Sequence, residues 1–265
     1  MKYDLLVTFL LPVITGLTYF FMAFLVHRTG KYRALMFGEI GFKKIAGAFI
    51  LLGIYFITRP LQNLLGPHPM PLIINSARQF FLMAIIAPSI LVAIFHWVPT
   101  PSGAPRSSKV AAYTIGILMG IIFVLLNTLA IDGSVLLYSH GIIQVYDPMW
   151  FSNGDPATQL VAVHLICQFV SPVGFLLLAA AYVRHRRHNY QLANIYNLMP
   201  LKWKYLEVSL VLFAVSFIVA GATVAFGKYY TYVWVIYFIG AIISGLFTMK
   251  NIKLPPREAP SDLQN

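Results

Sequence analysis

The chain is 265 residues long, 59% hydrophobic and only 10% charged, with a formal net charge of +11 and a mean hydropathy of +0.76. Soluble domains carry about 25% charged residues, so a water-soluble globule is excluded. The cationic excess fits loops facing an anionic leaflet, and nucleic acid is not an expected partner.

Seven apolar runs lie near residues 5 to 27, 45 to 65, 78 to 98, 110 to 131, 158 to 183, 205 to 226 and 229 to 249. Each is roughly 20 residues, the length with which a helix crosses about 30 Å of hydrocarbon. None alternates with period two, so helices rather than a closed barrel satisfy the backbone polar groups in lipid. The expected fold is an all-α membrane protein with a seven-helix domain over 1–250 and a short cytoplasmic tail over 251–265.

The first run lacks a basic flank beyond Lys2 and is followed by Arg28, not a small-residue cleavage site, so it reads as a retained helix and not a signal peptide. On the second, Tyr55, Arg59 and Asn63 share a face by i, i+4 spacing, with Thr58 and Gln62 as an adjacent stripe. Pro60 removes a donor from the Phe56 carbonyl, so a kink or a helix end is expected there. The third helix is expected to begin with Asn75, Arg78 and Gln79 on one face.

Asn127 and Asp132 are assigned to the fourth helix. The connection from Asp132 to Gln159 is the one sizeable outer segment, and its Tyr138, His140, Tyr146, Asp147, Trp150 and Asp155 serve either an interfacial belt or a lid. The fifth run carries His164, Gln168 and Ser171 at i, i+4 and i+7. Cys167, the single cysteine, excludes an internal disulfide and reads as a small apolar residue. The seventh run contains no lysine, which excludes a retinal Schiff base within it. In the tail, Pro255-Pro256 stops the helix, and no output domain is expected after it.

Charge orients the spans. Fifteen of the 19 Lys and Arg residues fall in alternate gaps or the tail; Lys2, Arg59, Arg78 and Lys228 are the exceptions. By the positive-inside rule the N-terminus is outside and the C-terminus inside a cell (inner) membrane. Pro12 matches Pro172, and His27-Arg28 matches His185-Arg186. That layout fits two parallel three-helix repeats joined by the fourth helix, or simply any two basic-ended hairpins.

Polar groups inside a membrane are costly and gather here in the outer halves of the spans. The candidate ligand-binding set is Arg59, Gln62, Asn63, Arg78, Asn127, Asp132, His164 and Gln168. If their faces converge, they form an outer cavity for an anionic or hydrogen-bonding small molecule. The structural alternative has both arginines snorkelling to lipid phosphates or pairing with Asp132 or Asp147, while the amides bridge helices. No metal site or cofactor is expected: the histidines do not face each other at matched depth for haem, and "RHRRH" at 184–188 marks a membrane boundary. Paired carboxylates, Walker glycines, HExxH and GxSxG do not occur, so hydrolase and NTPase chemistry has no support.

The short outer turns, the basic inner turns and the run "FITRPLQNLLGPHPMP" before a polar-starting third helix resemble the N-terminal seven-helix sensing modules of bacterial histidine kinases. The resemblance implies a membrane receptor module, one that would act here through a separate cytoplasmic signalling partner on the inner loops. Two other classes stand beside it. A small-solute transporter would carry polar residues past the midplane, whereas the inner halves read as nearly all apolar. A lipid-modifying enzyme or a non-catalytic subunit of a membrane complex is the third, with acid/base pairs lacking for the enzyme.

Overall fold

The computed structural model describes residues 5–37, 39–97, 106–140, 143–150, 158–192, 203–225 and 231–252. Seven helices within them are long and apolar enough to cross a membrane: Leu6–Arg28, Lys43–Leu64, Met70–His96, Arg106–Leu129, Ala162–Asn189, Trp203–Gly221 and Val233–Lys250. These are the seven spans of a polytopic membrane protein. Large apolar side chains stay outside the bundle, among them Phe21 at 60% and Leu129 at 76% exposure. Such faces suit lipid and would be an aggregation hazard in water.

The third span starts eight residues before the apolar run that marks it, at Met70 instead of residue 78. Its first turns, "MPLIINSAR", carry Asn75 and Arg78, whose side chains are buried in the bundle. Arg78 therefore stands about 12 Å inside the helix and not at its edge, at 1.5 Å per residue. The tight connection before it uses Gly66 at φ +101°, a conformation that favours glycine.

Beyond the spans, the Asp132–Gln159 connection begins as a hairpin. β1 (Ile131–His140) pairs antiparallel with β2 (Ile143–Trp150), from Ile131 opposite Trp150 to His140 opposite Ile143. Asp132 is thus a strand residue, and its assignment to the fourth helix is corrected: the helix ends at Ala130. The segment "GSVLLYS" carries the β-branched and aromatic content of a strand, and two irregularities in register, at 131/133 and 136/138, let it stay paired. Asp155 lies outside the described residues.

The first span packs on the second and seventh, the second on the third, the third on the fourth and fifth, and the fifth, sixth and seventh on one another in turn. Lys44, Lys109 and His96 feel each other's charge, which places the second, third and fourth spans' basic ends together. Arg187 pairs with Glu207 at 3.0 Å at that same end of the fifth and sixth. At mid-depth, aromatic rings fill the axis. Tyr19 stacks on Phe56 with centroids 5.5 Å apart and on Phe213 at 6.1 Å, and Phe56 meets Tyr237 and Phe238 at 6.0 Å. This plug divides a layer on the hairpin side from a layer on the basic side.

Three spans leave α geometry. π turns occupy Leu6–Leu10, Leu82–Ile86 and Phe169–Val173. In the last, Ser171 is non-helical at φ −109°, ψ −130°, next to Pro172, as expected where a ring displaces the helical ladder. The second and third π turns face each other, and the Ser171 hydroxyl donates to the Met83 carbonyl at 3.0 Å.

Candidate functional site

Seven of the eight sequence-derived site residues are buried: Arg59 at 6% exposure, Arg78 at 5%, Gln62, Asn63, Asn127, His164 and Gln168. Asp132 is placed only by its backbone, in β1. The seven do not share one set of partners but divide by helix.

On the hairpin side of the plug, the second, third and seventh spans hold the two arginines. Arg78 is tied down on every side. Its Nε and Nη2 donate to the Tyr55 carbonyl at 3.3 and 3.1 Å, Nε also to Thr58 Oγ1 at 3.2 Å, and Nη1 to Gln62 Oε1 at 2.7 Å. Its guanidinium carbon sits 4.6 Å from the Tyr55 ring centre. The Thr58 and Gln62 stripe read from the sequence is therefore the cradle of Arg78. The snorkelling expectation is corrected for both arginines: each is turned into the bundle, because the third helix begins early enough to bring Arg78 beneath the surface.

Arg59 is held differently. Its guanidinium carbon lies 4.2 Å from the Trp234 ring centre and 5.8 Å from that of Phe238. Its Nε is buried without a hydrogen-bond partner. The neighbouring Tyr237 hydroxyl is likewise buried, faces the Tyr55 hydroxyl and lies within reach of both arginine charges. Trp234 and Tyr237 cross edge-to-face at 5.8 Å. Trp234, Tyr237 and Phe238 were invisible to sequence reasoning because aromatics in a span read as core; their i, i+3, i+4 spacing was the available signal.

Asn63 faces the hairpin and donates from Nδ2 to the Tyr146 carbonyl at 2.6 Å. Asn127, His164 and Gln168 belong to the other side of the third span. Asn127 Nδ2 donates to Ser76 Oγ at 3.1 Å, His164 packs on Phe123 with ring centres 4.8 Å apart, and Gln168 lies against Gly221, where a methyl group would come 2.8 Å from its Oε1. Buried Cys167 joins Met83 and Phe123 there.

The basic-side layer was missed by the sequence reading, which took the inner halves as apolar. Ser209 Oγ donates to the Ser244 carbonyl at 2.7 Å and Ser244 Oγ to the Ser209 carbonyl at 2.8 Å, while Thr248 Oγ1 stands 2.6 Å from Ser209 Oγ. These hydroxyls and Tyr19 edge a cavity of about 30 Å³ that is otherwise walled by residues such as Ile90, Leu176 and Phe213. Hydroxyls escape hydropathy averages because Ser and Thr satisfy themselves on helix carbonyls.

No protein family, curated protein or solved structure significantly matches this chain.

Proposed function

We propose that this chain is a sensory or ligand-binding module of a cell (inner) membrane, with its N-terminus outside and its C-terminus inside, which binds a polar or anionic small molecule on the hairpin side and signals to a cytoplasmic partner on its basic loops. The observation that carries the reading is the junction of the two facing π turns, where the Ser171 hydroxyl joins the third and fifth spans through the Met83 carbonyl. π turns recur at functional positions, and a joint of this kind offers two helix packings whose balance a ligand can shift. The third span connects this joint directly to Arg78, about one turn nearer the hairpin. The orientation is supported by the charge placement, and a three-plus-one-plus-three organisation by the outlying fourth span and the π turns beside Pro12 and around Pro172.

Purification of the tagged full chain from native membranes in a mild detergent, with mass spectrometry of what stays bound, tests this reading. Stoichiometric recovery of a cytoplasmic kinase, cyclase or regulator is expected. Recovery of the chain alone or only with copies of itself would contradict signalling through a separate partner.

A transporter is the second reading, and the buried Ser209, Ser244 and Thr248 favour it, since they carry polar groups past the aromatic plug. Substrate-driven flux in proteoliposomes would establish it in place of the sensor.

A further inference from the structure

We infer that Arg59, with the Tyr237 hydroxyl beside it, is an oxyanion-binding site between the second and seventh spans, taking a carboxylate or phosphate group. The inference rests on the ligand-binding reading above and names its chemistry.

Charge inside a membrane bundle is costly unless it meets opposite charge or acceptors. Arg78 shows how this chain meets that requirement when the arginine is structural, with carbonyl, hydroxyl and amide oxygens on three of its nitrogens. On the second span, Arg59 has rings instead. A guanidinium over Trp234 uses its face, whereas its N–H donors lie in its own plane and are not spent on the ring. Among the described residues its Nε has no hydrogen-bond partner, and the nearby Tyr237 hydroxyl has only that of Tyr55 beside it. The unspent Arg59 Nε and the Tyr237 hydroxyl, on side chains more than nine-tenths buried, therefore lie in the positive potential of two arginines.

The group that completes such a set has two oxygens spaced to match the guanidinium fork, which describes carboxylates and phosphates. Halide ions lack that geometry. Because Arg59 Nε is closed to solvent in this packing, occupancy requires the second and seventh spans to part locally. Binding at this point thus changes helix packing, as a sensory role demands.

The phosphate or carboxylate has two sources, a soluble small molecule or a lipid headgroup, and the test separates them. The full chain, purified in neutral detergent, is titrated with inorganic phosphate and with benzoate at constant ionic strength, with chloride as control, while thermal unfolding and tryptophan fluorescence are followed. In parallel, protein in phosphatidylcholine nanodiscs with and without phosphatidylglycerol is released for native mass spectrometry. A soluble source gives a saturable rise of roughly 5–10 °C at about a hundred times Kd, unmoved by chloride and lost in Arg59→Gln. A lipid source gives one retained phosphatidylglycerol in wild type and none in Arg59→Gln. Arg59→Lys keeps charge without the fork; it binds at least about tenfold more weakly and serves should the glutamine variant fold poorly. Absence of any Arg59-dependent anion or lipid overturns the site. Failure of the partner purification, by contrast, leaves the anion titration unchanged, so the two results are independent.

Discussion

Either side of the Tyr19–Phe56–Phe213 plug, the bundle buries polar groups in opposite ways. On the basic side, Ser209 and Ser244 exchange hydroxyl-to-carbonyl bonds across the sixth and seventh spans, with Thr248 completing the clasp. Every hydroxyl there has a partner that its own helices supply. On the hairpin side, Arg78 is satisfied in the same manner, but Arg59, on the second span, keeps an Nε unbonded among the described residues and leans on rings. The contrast is between an arginine whose neighbours supply acceptors and one whose Nε is left to a ligand in the binding site we propose.

Substitutions can break that comparison, beginning with the strongest. Arg78→Met strands the Gln62 amide and the Tyr55 carbonyl in a buried layer, and we expect a loss of about 3 kcal/mol in thermal unfolding of the detergent-purified protein. An unchanged midpoint would remove the structural half of the contrast.

Ser209→Ala comes next. Interhelical hydrogen bonds in membranes contribute on average about 0.6 kcal/mol, and two or three are lost together, so about 1 kcal/mol is expected. In a double-mutant cycle with Ser244→Ala the costs should fall short of additive, because both changes dismantle one clasp. Full additivity would mean that the hydroxyls act separately.

Asn63→Ala acts locally. Losing the bond to the Tyr146 carbonyl should speed amide exchange in β2 roughly threefold, the equivalent of about 0.6 kcal/mol, without altering exchange in the sixth and seventh spans. Spread of the effect into those spans would show that hairpin and bundle unfold together.

The sequence revealed the seven spans because lipid demands long apolar runs, and it revealed most of the buried polar side chains because charge and amides inside such runs stand out. Arg59 and the Arg78 cradle were both legible from i, i+4 faces. What it hid has physical causes. The opening turns of the third span face inward, so polarity there did not mark the helix boundary that a lipid-facing rule implies. Asp132 follows an apolar run without a break, and its end of the strand is specified by pairing with residues 16 to 19 positions away, through Gly133 opposite Met149 and Ile131 opposite Trp150, which periodicity along one segment does not encode. The clasp of Ser209, Ser244 and Thr248 is built from residues that hydropathy counts as nearly neutral. The division of the eight candidates between two faces of the third span depends on helix packing, which periodicity within one helix does not encode.

The smallest expected change in stability is the most telling. Arg59→Met removes a cation–π contact that contributes about 0.5–2 kcal/mol, and it also removes a buried charge whose Nε has no acceptor among the described residues, a cost of at least about the same size. Thermal unfolding of Arg59→Met and wild type, both purified in neutral detergent without added phosphate or carboxylate, measures the balance directly. The account predicts that the variant is as stable as wild type or more so. A loss comparable to that of Arg78→Met would make Arg59 a structural anchor and contradict the division between the two arginines.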